Sequence, residues 1–260
     1  MKLGLLGNDI SYSLSPLIFR TLSRQLNMDI DYELIDVKKD DIRLVIDKLK
    51  SGELLGFNVT KPYKEEIIQY CDELVGDAKH IGSVNTVMYR NQKVIGYNTD
   101  VFGFKKLFEE SQFESIRPVY IFGNGGAAKS VAQCLHSLDI PVTIVKRRIS
   151  SRKQIKDHEI YYDEVPQGSG LIIQSTTVGL HENDALLVDK DILMDKSLID
   201  LIYHLNQTLH MEHAKQSFNG LTMLLYQGIK SFSIWTNDTI NMNQSIIDQL
   251  KEVLKHELYR

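Results

Sequence analysis

Short apolar runs alternate with stretches of helical period along most of this chain. KLGLL at 2–6 predicts a strand, a helix is expected from Pro16, and DYELIDV at 31–37 returns to strand character. Ile42, Val45, Ile46 and Leu49 then fall at i, i+3, i+4 and i+7, one face of a second helix. LLGFNV at 54–59 predicts a third strand, and NTVMYR with KVIGYN, separated by Asn91 and Gln92, a hairpin. That is a βαβαβ plan with an antiparallel addition, hence an α/β class with a mainly parallel sheet. Residues 100–114 predict a connecting helix, after which the alternation restarts. VYIFGNGG (119–126), VTIVKRR (142–148), LIIQS (171–175) and LIDLIY (198–203) are its strands, so two α/β domains are expected. Near the end, Ile246, Ile247, Leu250, Val253 and Leu254 form an apolar helical stripe that must pack on something.

The stretch GFNVTKPYKE (56–65) sets Asn58, Thr60 and Lys64 around Pro62, directly after a buried strand. Pro62 cannot donate to a strand ladder and suits the first turn of a helix. The polar residues are therefore expected at a strand's carboxyl end, feeding a helix start, where open α/β sheets bind ligands. Alternatively, Asn58 and Thr60 only cap that turn and Lys64 is solvated. Ser13 and Ser15, in SYSLSPLIF, point to one side in extended chain. Pro16 is expected at the first helical position with Ser15 at the cap. A capped helix accounts for Ser15 and Pro16 but not Ser13, whereas a carboxylate site at a helix amino terminus uses both serines.

Composition narrows the classes. With 260 residues, 43% hydrophobic and 25% charged, the chain can bury a proper core, and its net charge of −4 argues for neither nucleic acid nor a membrane surface. No apolar run approaches the ~18 residues of a membrane span, and the apolar stretch before Asp9 is too short for a signal peptide to be expected. Cys71 and Cys134 share no metal-like spacing with the histidines; they are expected reduced, which fits a cytoplasmic setting. His210 and His213 are one helical turn apart, but no metal site is expected.

VYIFGNGGAAKSVAQCL carries the sharpest local signal. Gly123, Gly125 and Ala128 match the G-x-G-x-x-A dinucleotide fingerprint, after a strand and before a helix. The candidate cofactor loop is Gly123, Asn124, Gly125, Gly126 and Ala127, whose backbone can approach a pyrophosphate at the positive end of a helix. An NAD site usually places an acid about 20 residues further on. Here the next strand ends in Lys146, Arg147 and Arg148, with Arg152 and Lys153 close behind and no acid adjacent. Guanidinium groups pair with a 2′-phosphate, so NADP is the expected cofactor.

Together, SLSP, GFNVTKPYKE, IGSVNTV, GYNTD, GNGGAAK and NGLTMLLYQG stand in an order and spacing that resemble shikimate dehydrogenases, from about residue 5 to 235. The pairing of GFNVTKPYKE with GYNTD is the most specific part. The resemblance implies reversible NADPH-dependent reduction of 3-dehydroshikimate to shikimate, in the pathway to chorismate and the aromatic amino acids. Lys64 and Asp100 resemble the catalytic pair, Ser13 and Ser15 the carboxylate contacts, and Thr60, Asn85, Asp100 and Gln227 the residues that hold hydroxyls. Asn58, Lys64 and Tyr203 are further expected substrate contacts, and Gly220 matches the glycine near the nicotinamide. The implied organisation is a substrate domain at 1–101 plus 236–260 and a Rossmann-type NADP domain at 102–235, with a cleft between them and the final helix returning to the first domain. The chemistry agrees: hydride delivery to a ketone leaves charge on oxygen, which an ammonium can stabilise and protonate. The adjacent carboxylate would favour the charged lysine.

Several positions depart from the family pattern: Tyr12, Arg20, Gln174, Ser175, His204 and Asn219, with Lys146 and Arg148 flanking Arg147. The alternatives are a quinate/shikimate dehydrogenase using NAD, and a non-catalytic sensor of NADP and a shikimate-like acid. An acid near 146–148 would favour the first; retention of Lys64 and Asp100 argues against the second. Oligomeric state is not readable from the sequence.

Overall fold

The computed structural model describes residues 1–148, 158–181, 183–237 and 243–259. Arg152 and Lys153 lie outside the described residues. The chain divides into two compact units, one built from Met1–Gly103 and Leu225–Leu258, the other from Phe104–Leu224 with Tyr259.

The first unit runs β1 (Lys2–Gly7), α1 (Ser15–Leu26), β2 (Asp31–Asp36), α2 (Ile42–Lys50), β3 (Gly56–Val59), β4 (Glu73–Leu74), α3 (Asp77–Ile81), β5 (Thr86–Arg90) and β6 (Lys93–Tyr97). Its sheet has the order β2-β1-β3-β5-β6-β4. β1 is parallel to β2 and β3, while β5 is antiparallel to β3 and β6, as the period-two runs and the hairpin predict. Asn91 and Gln92 both take positive φ (52° and 61°), the twist a tight hairpin needs. β4 was not expected, because two residues carry no period. Ile42, Val45, Ile46 and Leu49 of α2 pack with Leu6, Phe57 and Val59 in one core. On the other side Phe19 meets Tyr32, Phe232 and Trp235.

Two local expectations are corrected. Pro62 opens no α-helix: the Lys61–Pro62 peptide is cis, and turns lead into a single 3-10 segment, Glu66–Tyr70. Ser15 is not the cap of α1 but its first residue, with Leu14 at the cap position. The Ser13 Oγ instead accepts the Ser15 N–H at 3.2 Å, a serine turn in which a hydroxyl two residues upstream satisfies a free helical donor.

The second unit contributes β7 (Val119–Phe122), α5 (Gly126–His136), β8 (Val142–Lys146), β9 (Glu159–Tyr161), β10 (Leu171–Gln174), α6 (Lys190–Met194), β11 (Ser197–Asp200), α7 (Leu209–His213) and β12 (Gln216–Asn219). α4 (Asp100–Ser111) and α8 (Leu221–Trp235) each start in one unit and finish in the other. The sheet is wholly parallel, in the order β12-β11-β10-β7-β8-β9. That is the doubly wound order of dinucleotide-binding folds, with its reversal between β7 and β10. The edge strands β9 and β12 escaped prediction because they are short and polar. α9 (Gln244–Leu258) packs on α1 in the first unit, where Gln25 donates to Gln249 at 2.9 Å. Its buried stripe is narrower than the sequence suggests: Leu250 and Leu254 are buried, and Val253 is exposed. No described helix is long and apolar enough to cross a membrane.

Candidate active site

In the first unit the carboxyl end of β3 and the start of α4 meet. The Val84 N–H donates to the Lys64 carbonyl at 2.8 Å, tying the turn after β3 to the residues that lead into β5. The Asn98 Oδ1 accepts from Asp100 N–H at 3.0 Å and fixes the first residue of α4. The Lys64 Nζ then donates to Asp100 Oδ2 at 2.7 Å, with the aspartate side chain 6% exposed and the lysine 21%. The other oxygen, Oδ1, accepts from Asn85 Nδ2 at 2.8 Å. A carboxylate with both oxygens engaged by donors is held in one orientation. Among the described residues Asp100 is the Lys64 ammonium's hydrogen-bond partner, and an ammonium has three donors.

Around this pair stands a buried frame. The Asn85 Oδ1 accepts from Thr99 N–H at 2.8 Å and from Thr86 Oγ1 at 3.0 Å. The Ser231 Oγ lies 2.8 Å from Thr86 Oγ1 and 3.1 Å from Thr99 Oγ1, and donates to the Gln227 carbonyl at 2.9 Å. The Asn58 Nδ2 faces Ser231 Oγ (2.8 Å), Asn85 O (3.1 Å) and Thr86 Oγ1 (3.1 Å), while its Oδ1 accepts from the Tyr32 hydroxyl at 2.9 Å. Asn58 and Asn85 therefore reach the cluster, with their amides engaged by protein groups. Thr60 follows β3, half-buried, its N–H donating to Leu6 O at 2.9 Å. Gln227 sits one turn before Ser231 on α8. The hydroxyls of Ser13 and Ser15 are 3.3 Å apart at the start of α1. Burial pushes the Tyr32 phenol far up, with Ser15 pulling weakly the other way.

Sequence reasoning did not single out Tyr32, Thr86, Thr99 and Ser231. Thr99 lay within GYNTD, and Ser231 follows Gln227 by one turn in an apolar helix, which was the available signal. Tyr32 looked like an ordinary strand residue.

In the second unit, Gly123 follows β7 with φ of +106°, and a Cβ there would come within 2.9 Å of the Ser175 Oγ. Gly125 caps α5, and a Cβ on it would meet nothing within 4 Å, leaving its backbone approachable. Asn124, Gly126 and Ala127 complete this loop, which sits beside the β7–β10 reversal with the amides of an 11-residue helix behind it. The backbone therefore fits a pyrophosphate. At Gly220 a Cβ would collide with the Leu201 backbone carbonyl. The Tyr203 ring stacks on His204 at 4.1 Å, and its carbonyl accepts from the Tyr259 hydroxyl at 3.2 Å.

The basic cluster differs from expectation. Lys146 pairs with Glu159; Arg148 pairs with Asp163 (3.0 Å) and Glu164 (3.2 Å) and lies 4.2 Å over the Tyr161 ring. The expectation that no acid stands near 146–148 is thus corrected. β9 pairs with β8, Lys146 beside Tyr161, and brings in carboxylates that are distant in sequence. Arg147 is exposed and makes no ion pair among the described residues.

The departing residues make local bonds. The Gln174 Nε2 donates to Val178 O at 2.7 Å, Ser175 Oγ to Phe122 O at 2.6 Å, and Asn219 Nδ2 to the Tyr259 hydroxyl at 2.8 Å. His210 is buried, accepting Leu187 N–H at 3.1 Å. Among the described residues no group of three or more His, Cys, Asp or Glu could hold a metal.

The chain as a whole is similar to known proteins. A family model for the shikimate dehydrogenase substrate binding domain matches residues 5–87. The NADP(+) shikimate dehydrogenase of Methanococcus maripaludis is 36% identical over 254 residues, 90% of each chain. That of Staphylococcus haemolyticus is 34% identical over 271 residues, covering 97% of this chain and 100% of the relative. The crystal structure of shikimate dehydrogenase 1 from Peptoclostridium difficile superposes with a TM-score of 0.87 at 32% identity, covering 99% of this chain and 98% of that one. With identity of this level over nearly the whole length, this chain belongs to the shikimate dehydrogenase family.

Proposed function

We propose that this protein reduces 3-dehydroshikimate to shikimate with NADPH, reversibly, with Lys64 and Asp100 as the pair that handles the proton. The observation that carries this reading is the 2.7 Å contact between Lys64 Nζ and an Asp100 carboxylate whose other oxygen is braced by Asn85. Bound NADPH supplies the hydride. The Lys64 ammonium stabilises the charge that develops on the carbonyl oxygen and delivers a proton to it. Asp100 keeps the ammonium aimed and accepts a substrate hydroxyl. Ser13 and Ser15 hold the substrate carboxylate; Asn58, Thr60, Asn85, Tyr203 and Gln227 hold or frame the ring and its hydroxyls. The loop Gly123–Ala127 receives the pyrophosphate, Gly220 lets the chain pass close to the cofactor, and Arg147, flanked by Lys146 and Arg148, receives the 2′-phosphate. The reaction is a step of aromatic amino-acid biosynthesis and would run in the cytoplasm on a small-molecule substrate.

The test is the rise of nicotinamide absorbance when shikimate or quinate is offered with NADP or NAD. Shikimate with NADP should turn over fastest. No turnover of shikimate with either cofactor would overturn the reading, and a preference for quinate with NAD would replace it.

A further inference from the structure

We propose that Tyr32 is a positioning residue for the Lys64–Asp100 pair, acting through Asn58; this rests on the proton-transfer reading of that pair. Tyr32 touches neither member. Its hydroxyl donates to Asn58 Oδ1 at 2.9 Å, the donor that the described residues offer to that oxygen. Without it a buried amide oxygen stays unsatisfied, and the amide loses the group that selects its orientation.

The orientation matters because of what lies on the other side. The two hydrogens of Asn58 Nδ2 are shared among the backbone carbonyl of Asn85 and the hydroxyls of Thr86 and Ser231. A rotated Asn58 would set its oxygen against the Asn85 carbonyl, acceptor against acceptor. The Ser231 hydroxyl has a backbone acceptor in Gln227 O at 2.9 Å, so a rotated amide would have to compete with that carbonyl for its hydrogen. Two lines run onward from the correctly turned amide. One is the backbone of Asn85, the residue whose Nδ2 braces Asp100 Oδ1. The other passes through Thr86 Oγ1 to Asn85 Oδ1. Both end on the carboxylate that aims Lys64.

Tyr32 suits this task. Its ring stacks on Phe19 at 4.1 Å with 5° between planes, so the hydroxyl has little freedom to swing. Burial also keeps the phenol protonated, so it remains a donor throughout the working pH range. The side chains between Tyr32 and Asp100 are all buried, and in such networks the loss of one bond reaches its neighbours.

The test is a double-mutant cycle on turnover with shikimate and NADP. Tyr32→Phe should lower kcat by about tenfold; the phenol also bonds Ser15, a proposed carboxylate contact, so the comparison is made on kcat at saturating shikimate rather than on KM. In a Lys64→Ala background the same substitution should change kcat by less than about twofold, since the group being positioned is gone. An equal loss in both backgrounds, or wild-type kcat in Tyr32→Phe alone, would overturn the proposal. If Tyr32→Phe does not fold, Ser231→Ala, which removes a different partner of the same amide, is put through the same comparison with the same outcomes. Wild-type turnover in Lys64→Ala by itself would instead bring down the proton-transfer reading, and this proposal with it.

Discussion

Replacing Arg147 by alanine removes the guanidinium at the end of β8 that has no carboxylate partner among the described residues. Lys146 and Arg148 flank it, but each is already matched, by Glu159 and by Asp163 with Glu164. A 2′-phosphate approaching this strand end therefore meets, among the described residues of the cluster, one cation without a carboxylate partner, while the flanking cations bring their own repelling acids. A hydrogen bond to a charged group contributes about 1.5–3 kcal/mol when well formed, and exposure trims this toward the lower value. One or two such bonds give an expected loss of roughly 10- to 100-fold in kcat/KM for NADP on Arg147→Ala. Values for NAD should stay within about twofold, since NAD presents no phosphate to lose. The assay is initial rate of shikimate oxidation against cofactor concentration, for both cofactors, at two salt concentrations. Added salt should erode the wild-type advantage of NADP and leave the variant little changed. The reverse manipulation, Asp163→Asn with Glu164→Gln, releases Arg148 and should raise the preference for NADP by a few-fold. Equal losses for the two cofactors in Arg147→Ala, or no loss for either, would refute the assignment and leave the cluster a solvated patch.

Lys64→Ala should lower kcat by roughly 10²–10⁴ with little change in shikimate KM, measured by steady-state kinetics; an effect confined to KM would make Lys64 a binding group. Ser13→Ala should raise shikimate KM by about tenfold with a modest loss of kcat, and an analogue lacking the carboxylate should not distinguish the two proteins. The same change removes the acceptor for Ser15 N–H, so thermal denaturation should show a loss of about 1 kcal/mol. Burial lowers the His210 imidazole to about 4 from 6.5, so the folded state binds fewer protons than the unfolded one between those values. Its contribution is complete above pH 6.5 and is lost as pH falls toward 4, by an amount on the order of 3 kcal/mol. His210→Gln keeps an acceptor for Leu187 N–H and does not titrate, so denaturant titrations should show a shallower acid loss than wild type. Asp200, with its carboxyl pushed up to about 6 by burial, contributes the opposite slope to both proteins and cancels in the difference. Identical acid profiles would refute the role of His210.

Long elements with a full apolar period were legible: α2 shows four buried positions on one face, and the strands of both sheets appear as apolar runs. Short edge strands were not, because β4, β9 and β12 owe their conformation to a neighbour's ladder rather than to their own pattern. Lys64, Asp100, Asn58 and Asn85 were found through motifs, and all four stand in one hydrogen-bonded cluster. The rest of that cluster was hidden by sequence distance: Asn58 and Ser231 are 173 positions apart, and either alone is an unremarkable polar residue. The acids facing Lys146 and Arg148 were missed for the same reason, since only the β8–β9 pairing brings them there.

The interleaving of the two units has a consequence for a chain made from its amino end. The second unit is an uninterrupted stretch, Phe104–Leu224, apart from Tyr259. The first is split, and its later part supplies Ser231 to the frame, Phe232 and Trp235 to Phe19, and the Trp235 indole N–H to Val87 O at 3.0 Å. A nascent chain that has emerged only as far as Leu224 holds every strand of both sheets, yet the Asn58 amide lacks its serine and Phe19 its aromatic neighbours. Domains form as units during synthesis. The nucleotide-binding half can therefore mature largely before residues 225–258 emerge, whereas the half that carries Lys64 and Asp100 is finished only once they have. A premature stop in α8 between Leu224 and Ser231 would leave a complete doubly wound sheet beside an Asn58 amide without its serine and a Phe19 without its aromatic neighbours.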